Sequence, residues 1–451
     1  MKSDEDEHDD DEMPRDAATR GPRRMRHEES SMKRRDFLAL ASLAGAAGVS
    51  LSMPHAFAAA SAASGAKGAI GANGAIDMAG AARYSNLLIL VELKGGNDGL
   101  NTVIPYADPL YRTLRPTIGV KREQVVQLDE RAALHPALEP LVPIWRDGRL
   151  AIVDGVGYPQ PNLSHFRSIE IWDTASRADE YLREGWLTRA FAQAGVPPGF
   201  AADGIVLGSA EMGPLANGAR AIALVNPAQF ARAARLVQPV SLREQNPALA
   251  HVIDIENDIV KAADRLRPHA GTPALATAFP GGPFGASVKT AMQVLAACDT
   301  PQRTPAPGQG VAALRLTLNG FDTHQNQPGQ QAGLLKQLAL GLVAMRSALI
   351  ELGRWNDTLV MTYAEFGRRA RENQSNGTDH GTAAPHFVMG GRVRGGLYGA
   401  PPALTALDGN GNLPVAVDFR QLYATVLGPW WGLDATSVLK RRFEPLPLLR
   451  A

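Results

Sequence analysis

The chain has 451 residues, of which 45% are hydrophobic and 20% are charged, so it can bury a large core as one large domain or two smaller ones. Its formal net charge is +1, which argues against nucleic acid as the main partner. Cys298 is the single cysteine, which excludes an intrachain disulfide and a metal cluster held by several thiolates of one chain.

The amino terminus is predicted to lie outside the fold. Residues 4–12 contain eight acidic side chains and cannot bury themselves. Residues 32–58 combine paired arginines, a short Ala/Gly/Ser-rich apolar run and an A-x-A site, as twin-arginine (Tat) export signals do. Residues 1–31 are then either an over-long gene start, which we favour, or an acidic extension, and residues 59–84 are a flexible Ala/Gly tether. We expect a periplasmic or other extracytoplasmic protein with no stable membrane span after signal cleavage.

The folded domain is predicted over residues 85–445 and begins with a strand. Residues 87–91 are a continuous apolar run, typical of a strand buried on both faces of a parallel sheet. A glycine-rich turn follows, in which Asp98 offers carboxylate oxygens at the carboxyl end of the strand. Asp98 is either a ligand or part of an Asx turn that caps the strand.

A helix predicted over residues 136–145 leads to a second short strand, residues 150–153, and to a loop rich in glycine and proline. Ser164 is placed at the N-cap of the next helix. Its hydroxyl either caps the helix or serves as a nucleophile or anion site, since helix N-termini favour negative charge. The neighbouring His165 favours the functional interpretation.

The strand over residues 311–318 ends in Asp322 and His324, which face the same side of an extended segment. Such a pair either binds one metal ion or forms a hydrogen bond. A long amphipathic helix is predicted after it, over residues 330–352.

The last informative strand covers residues 359–361 and leads to Glu365 and a glycine-rich loop. This loop contains Arg368 and the pair Asp379 and His380. Strands alternating with helices predict an α/β fold with a mostly parallel sheet and right-handed crossovers. Because ligands bind at the carboxyl ends of such strands, we expect the polar side chains of four strand ends to converge at one sheet edge.

Five segments in order resemble the bacterial exported family catalogued as domain of unknown function 1501, over roughly residues 85–445. They are LVELKGGNDGLNTVIPYADPLYRTLRP, SHFRSIEIWD, GFDTH, AEFGRRARENQSNGTDHG and VDFRQLYATVLG. That family resembles the alkaline phosphatase/sulfatase superfamily, which implies a three-layer α/β/α fold with two metal ions and a hydroxyl or formylglycine nucleophile at the sheet edge.

The resemblance implies a role for each of these residues. Ser164 takes the nucleophile position, with His165 beside it. Either Arg368 or Arg167 is expected to hold the anionic oxygens of the substrate. Asp379 either ligates an ion or orients His380. The implied ligands of one ion are Asp322, His324 and His380, and those of a second ion are Asp98 and Glu365, with Asp379 as a further candidate ligand.

Two departures from the superfamily pattern bear on the chemistry. Phe366 stands where a histidine ligand is usual, and the spacing between Asp322 and His324 is tighter than in the phosphatases. A site rich in carboxylates favours Mg, Mn or Ca over a pair of Zn ions. No Cys-x-Pro-x-Arg motif occurs, which disfavours a formylglycine sulfatase.

These features favour an exported metal-dependent hydrolase whose partner is a small anionic phosphate or sulfate ester. The alternative is a non-catalytic surface or binding protein that keeps the superfamily fold, for which Phe366 is the motivation. Its partner would be another exported protein.

Overall fold

The computed structural model describes residues 82–224, 272, 274–298 and 310–450. The acidic segment, the predicted Tat signal and most of the tether lie outside these residues.

Twelve strands are present in the described part of the chain. They are β1 (Leu87–Lys94), β2 (Val103–Ile104), β3 (Val126–Gln127), β4 (Ala133–Leu134), β5 (Leu150–Gly157), β6 (Ala202–Leu207), β7 (Ala221–Leu224), β8 (Val311–Asn319), β9 (Thr358–Tyr363), β10 (Ala384–Met389), β11 (Gly396–Tyr398) and β12 (Val417–Asp418).

The same residues form eight α-helices. They are α1 (Pro109–Leu114), α2 (Val142–Arg146), α3 (His165–Thr174), α4 (Trp186–Gln193), α5 (Gly282–Cys298), α6 (Gln327–Glu351), α7 (Phe419–Thr425) and α8 (Ala435–Leu439). Shorter helical turns cover Gly99–Asn101, Pro136–Leu141, Gly213–Leu215, Trp355–Asp357 and Val426–Trp430.

A nine-stranded sheet forms the centre of the fold, in the order β11-β5-β10-β9-β1-β8-β6-β7, with β12 paired to β5. Strand β10 is antiparallel to both of its neighbours, and every other strand pair in this sheet is parallel. The predicted mostly parallel sheet is therefore confirmed. Strands β2, β4 and β3 form a separate antiparallel sheet.

Both faces of the central sheet are covered, which explains why β1 is apolar throughout. Ile89 and Val91 belong to a core that includes side chains of α5 and α6. Leu88 and Leu90 belong to the core on the other face, with side chains of α3, α4 and α7. Successive residues of a strand face opposite sides, so a strand between two helical layers needs an unbroken apolar run. The fold is a three-layer α/β/α arrangement.

Helix α6 is the longest helix, and it begins three residues before the predicted start. It is long and apolar enough to cross a membrane by length and composition, but half of its apolar window is buried inside the protein. Its buried side chains contribute to the core beneath the sheet. These contacts explain its apolar composition.

Two local predictions differ from the structure. Residues 136–145, predicted as one helix, form a 3₁₀ turn over Pro136–Leu141 followed by the short helix α2. Pro140 and Pro143 each lack a backbone N–H, which prevents a continuous α-helical ladder. Strand β10 was not predicted, because its six residues follow the glycine-rich loop without a separate turn signal.

Candidate metal centre

The polar residues at the carboxyl ends of β1, β5, β8 and β9 meet at one edge of the sheet. These four strands run in the same direction, since β10 reverses direction between β5 and β9. Their loops place His165, Asp322 and Glu365 in direct contact. The convergence predicted from the strand ends is therefore present for these residues.

Three imidazoles surround one carboxylate, and we call Asp322, His165, His324 and His380 the histidine cluster. Asp322 Oδ1 lies 3.1 Å from His324 Nε2 and 3.3 Å from His380 Nε2. Asp322 Oδ2 lies 3.4 Å from His165 Nε2. The Nε2 atoms of His324 and His380 are 2.9 Å apart. Ligand atoms about 2.0–2.1 Å from one ion lie about 2.9–3.4 Å from each other, so these spacings fit a shared ion.

Glu365 fixes the orientation of His165. Its Oε1 atom lies 2.9 Å from His165 Nδ1 and accepts a hydrogen bond of 2.8 Å from the backbone N–H of Gly95. The hydrogen bond and the negative charge of Glu365 raise the pKa of His165. With Nδ1 directed at the carboxylate, Nε2 of His165 faces Asp322.

The other two imidazoles are held in the same way. His380 Nδ1 donates to the carbonyl oxygen of Leu163 at 2.8 Å, and His324 Nδ1 lies 3.5 Å from Asp379 Oδ1. Burial lowers the pKa of His380, which favours its neutral form. The hydrogen bond from Asn373 lowers the pKa of Asp379 and keeps this carboxylate charged. Asp379 thus orients His324 and not His380 as predicted, because His380 Nδ1 already donates to Leu163.

All three histidines therefore direct Nδ1 at an oxygen atom and Nε2 at the cluster. Metal-binding histidines share this arrangement, because an acceptor at one nitrogen leaves a lone pair on the other. Among the described residues, His165, Asp322 and His380 form a group whose ligand atoms all lie within 4.8 Å of one another. The donor set fits a single divalent ion.

The cluster is open to solvent on one side. The side chains of Asp322 and His324 are 47% and 43% exposed, and that of His165 is 30% exposed. His165 Nε2 itself is buried, but the exposed parts of Asp322 and His324 give a substrate access to the cluster, which a closed structural metal site would prevent.

Two glycines allow the loops to approach closely enough. Gly95 has φ +119°, and a Cβ there would lie 2.3 Å from the backbone nitrogen of Asp322. A Cβ at Gly377 would lie 2.2 Å from the carbonyl group of His324. Side chains at these positions would push apart the loops that contribute the cluster.

Arg368 lies beneath the cluster with a fully buried side chain. It donates to Asp322 Oδ1 at 2.7 Å and to the carbonyl oxygens of Gly95, Gly96, Phe321 and Thr378. Burial raises the pKa of Asp322, but the hydrogen bond and charge of Arg368 outweigh burial and lower it overall. The guanidinium predicted to hold the substrate is thus directed into the protein, where it supports Asp322.

Asp98 lies in a different polar group, which we call the Asp98 cluster: Asp98, Arg115, Gln327, Gln331 and Thr102. Asp98 Oδ2 accepts hydrogen bonds from Arg115 and Gln327, and both side chains of the ion pair are fully buried. The backbone oxygen of Asp98 accepts from Thr102 and Gln331.

Thr378 connects this cluster to the histidine cluster. Its hydroxyl donates to Gln327 Oε1 at 2.7 Å, and its carbonyl accepts from Arg368 at 2.9 Å. Asp98 is therefore connected to Arg368 through Gln327 and Thr378. Among the described residues, no direct contact joins Asp98 to the histidine cluster.

Ser164 is the N-cap of α3, as predicted, and is exposed. Its hydroxyl makes no capping hydrogen bond, and its backbone nitrogen donates to Asn162 Oδ1 at 2.9 Å. The hydroxyl is thus free at a helix N-terminus, one residue before His165. The catalytic roles of Ser164 and Arg368 stay predictions.

Phe366 packs within the site. Its ring centroid lies 4.8 Å from that of His165 and 4.5 Å from that of His380. The aromatic ring therefore fills the space beside two imidazoles and adds no ligand atom.

Sequence reasoning missed Arg115, Gln327 and the carbonyl of Leu163. An arginine, an amide and a backbone oxygen carry no motif of their own, and they reach the site only through contacts between distant segments.

The site thus lies at the polar edge of a mostly parallel sheet in a three-layer α/β/α fold. A family model described as protein of unknown function (DUF1501) matches residues 152–443, more than half of the chain. The chain belongs to this family. No curated protein matches the sequence significantly.

The solved structures that the chain matches include the following three. The lipoteichoic acid synthase LtaP from Listeria monocytogenes is 10% identical, with 69% of each chain covered and a TM-score of 0.31. A TAB5 alkaline phosphatase mutant with Mg bound is 11% identical, with coverage of 68% of this chain and 91% of that chain and a TM-score of 0.30. The C-terminal periplasmic domain of EcEptC from Escherichia coli, in complex with Zn, is 10% identical, with coverage of 68% and 72% and a TM-score of 0.29. These overlaps are remote, so the chemistry of this chain is inferred from its own residues.

Proposed function

We propose that this protein is an extracytoplasmic, metal-dependent hydrolase of phosphate or sulfate esters. The observation that carries the proposal is the histidine cluster, in which three Nε2 atoms face one carboxylate whose side chain is 47% exposed. The buried His165 Nε2 atom, which lacks a hydrogen-bond partner, supports the same conclusion. A purely structural histidine would have a protein partner for this nitrogen, because buried polar atoms are normally hydrogen-bonded.

The ion would be held by His165, His380 and Asp322, with His324 beside them. Three imidazoles with one carboxylate suit Zn or another transition ion better than Ca or Mg. This differs from the preference drawn from the sequence, because the structure adds His165 to the ligand group. A divalent ion in such a site lowers the pKa of a hydroxyl or water and stabilises negative charge on the ester oxygens.

The remaining groups of the proposed site belong to the chain itself. The N-terminus of α3 presents free N–H groups that favour an anionic ester oxygen. Ser164 supplies the candidate hydroxyl nucleophile at the same helix end. Arg368 holds Asp322 in its charged form and in one orientation.

The test is hydrolysis by the purified full-length protein of p-nitrophenyl phosphate, bis(p-nitrophenyl) phosphate and p-nitrophenyl sulfate, with Zn, Mn, Mg or Ca. We expect turnover with at least one ester, and its loss in Asp322→Asn. His135→Asn is the matched control, because His135 caps a 3₁₀ turn through Nδ1 and Asn preserves an acceptor there. Absence of turnover with every ester and ion in a folded, metal-loaded protein would contradict the proposal.

Phe366 favours a second candidate, a non-catalytic binding protein. Its ring contacts both His165 and His380 and occupies space where another ligand group would stand in an enzyme. A protein that retains one ion per chain but hydrolyses no ester would fit this candidate.

A further inference from the structure

The superfamily resemblance implies two metal ions, but the residues described above fit only one. The resemblance implies that Asp98 and Glu365 are ligands of the second ion. In the structure these two carboxylates serve different partners, Arg115 for Asp98 and His165 for Glu365.

A guanidinium already fills the place beside Asp98. Arg115 is fully buried and is fixed by two further hydrogen bonds, to the carbonyl oxygens of Ala370 at 2.9 Å and Arg369 at 3.0 Å. The other neighbours of Asp98 in its cluster are amide and hydroxyl groups. Asp98 Oδ1 has no hydrogen-bond partner, but one oxygen beside a bound guanidinium is a poor site for another cation.

Arg368 supplies a second fixed positive charge. All three of its side-chain nitrogens make hydrogen bonds, and Nη1 also lies 3.4 Å from His324 Nε2. The guanidinium therefore lies on the buried side of the cluster, in contact with Asp322 Oδ1 and next to His324 Nε2. A metal ion at that inner position would meet this charge at close range and without water between them.

We infer that the centre holds one divalent ion, and that Arg368 and Arg115 are the built-in cations that take the place of a second. This inference rests on the proposed function, since it concerns the same site. Arg368 is a positioning residue in it: it orients Asp322 and fixes a positive charge behind the ion.

The charge of such a centre also indicates its substrate class. Among the described residues, the histidine cluster and its ion-pair partners contain three carboxylates (Asp322, Glu365, Asp379) and two guanidiniums (Arg368, Arg369). With the imidazoles neutral, the three negative and two positive charges give the site a net charge of −1. One divalent ion would change this net charge to +1, and two ions would change it to +3. A net charge of +1 complements a monoanionic ester, that is, a phosphodiester or a sulfate monoester, better than a dianionic phosphomonoester.

The first test is metal stoichiometry, measured by elemental analysis of full-length protein loaded with Zn or Mn and then dialysed. We expect one ion per chain. Asp98→Asn should keep that ion, whereas His380→Ala should lose it, and circular dichroism establishes that each variant is folded. If Asp98→Asn does not fold, the wild-type stoichiometry alone decides the question. Two ions per chain would overturn the inference and leave the proposed function intact, whereas no ion would overturn both.

The second test compares ester classes at pH 8, where p-nitrophenyl phosphate is dianionic because its second pKa is about 6. The measured quantity is kcat/KM divided by the uncatalysed rate constant. We expect bis(p-nitrophenyl) phosphate or p-nitrophenyl sulfate to exceed the dianion by at least about tenfold. The two monoanions separate phosphodiesters from sulfate esters. Equal or better use of the dianion would overturn the substrate assignment.

Discussion

The histidine cluster and the Asp98 cluster use the same pair of groups, an aspartate after a strand and an arginine from a later segment, with different outcomes. Asp322 shares one oxygen with Arg368 but is half-exposed and faces three imidazoles. Asp98 is enclosed with Arg115 and faces amides and hydroxyls. The two carboxylates differ in their environment. Asp322 is accessible to solvent and faces imidazole nitrogens, which suits a metal ligand. Asp98 is fully buried with a guanidinium, which makes it part of a structural ion pair.

The largest expected effect tests whether the buried pair of Asp98 and Arg115 stabilises the fold. Arg115→Met leaves Asp98 as an uncompensated buried charge, which should destabilise the fold by about 3–5 kcal/mol. Denaturant unfolding measures the change. The double variant Asp98→Asn/Arg115→Met is the control, and it should be less destabilised because no buried charge remains. A single-variant loss below about 1 kcal/mol would show that the pair is not structural.

The next largest effect concerns metal binding by the histidine cluster. His165→Ala or His380→Ala should weaken Zn or Mn binding at least about 100-fold, equivalent to about 2.7 kcal/mol. The metal-free protein should unfold at nearly the wild-type denaturant concentration, since both side chains are partly exposed. Isothermal titration calorimetry measures the affinity, with His135→Asn as the control. Unchanged affinity in both variants would remove these histidines from the ligand set.

A third carboxyl, Asp154 on β5, sharpens the comparison because it is buried with no arginine partner among the described residues. Burial raises the pKa of Asp154 to about 7 from its ordinary value of 3.8. Protonation therefore favours the folded state: this stability is fully present below about pH 4 and is lost as the pH rises through about 7.

Asp154→Asn should remove that pH dependence. The full shift corresponds to about 4 kcal/mol, and we expect roughly half at pH 8, because the carboxyl borders a small cleft lined by Leu100, Pro385 and Pro401. The variant should be more stable than wild type at pH 8 and nearly equal to it at pH 4. Urea unfolding at both pH values measures this, and a pH-independent difference would contradict it.

The smallest effect is at the exposed edge of the histidine cluster. Phe166 follows His165 and is 88% exposed. Phe166→Ala should change stability by less than about 0.5 kcal/mol but raise KM for aromatic esters by about threefold to tenfold, through loss of a ring contact. Ile350→Ala, at an exposed apolar residue on α6, is the control and should leave KM unchanged. If both variants behave alike, Phe166 does not contact the substrate.

Much of the fold was predictable from local patterns. The apolar runs of β1, β8 and β9 identified strands covered on both faces, and each was followed by the polar residue that now lies at the sheet edge. His165, Asp322, Glu365 and His380 were all predicted as site residues and are in contact. The individual roles were harder to predict, because a role depends on which atom faces which partner.

The sequence by itself determined the class of fold and the sheet edge where the chemistry lies, since hydrophobic periodicity and parallel strand direction are local properties that add up along the chain. Only the tertiary structure decided that Glu365 and Asp379 orient imidazoles, that Arg368 points inward and that Asp98 is held by Arg115. These pairings join different segments of the chain, 17 residues apart for Asp98 and Arg115 and 200 apart for Glu365 and His165. Burial and charge select the partners of a carboxylate only after packing has brought the candidates together.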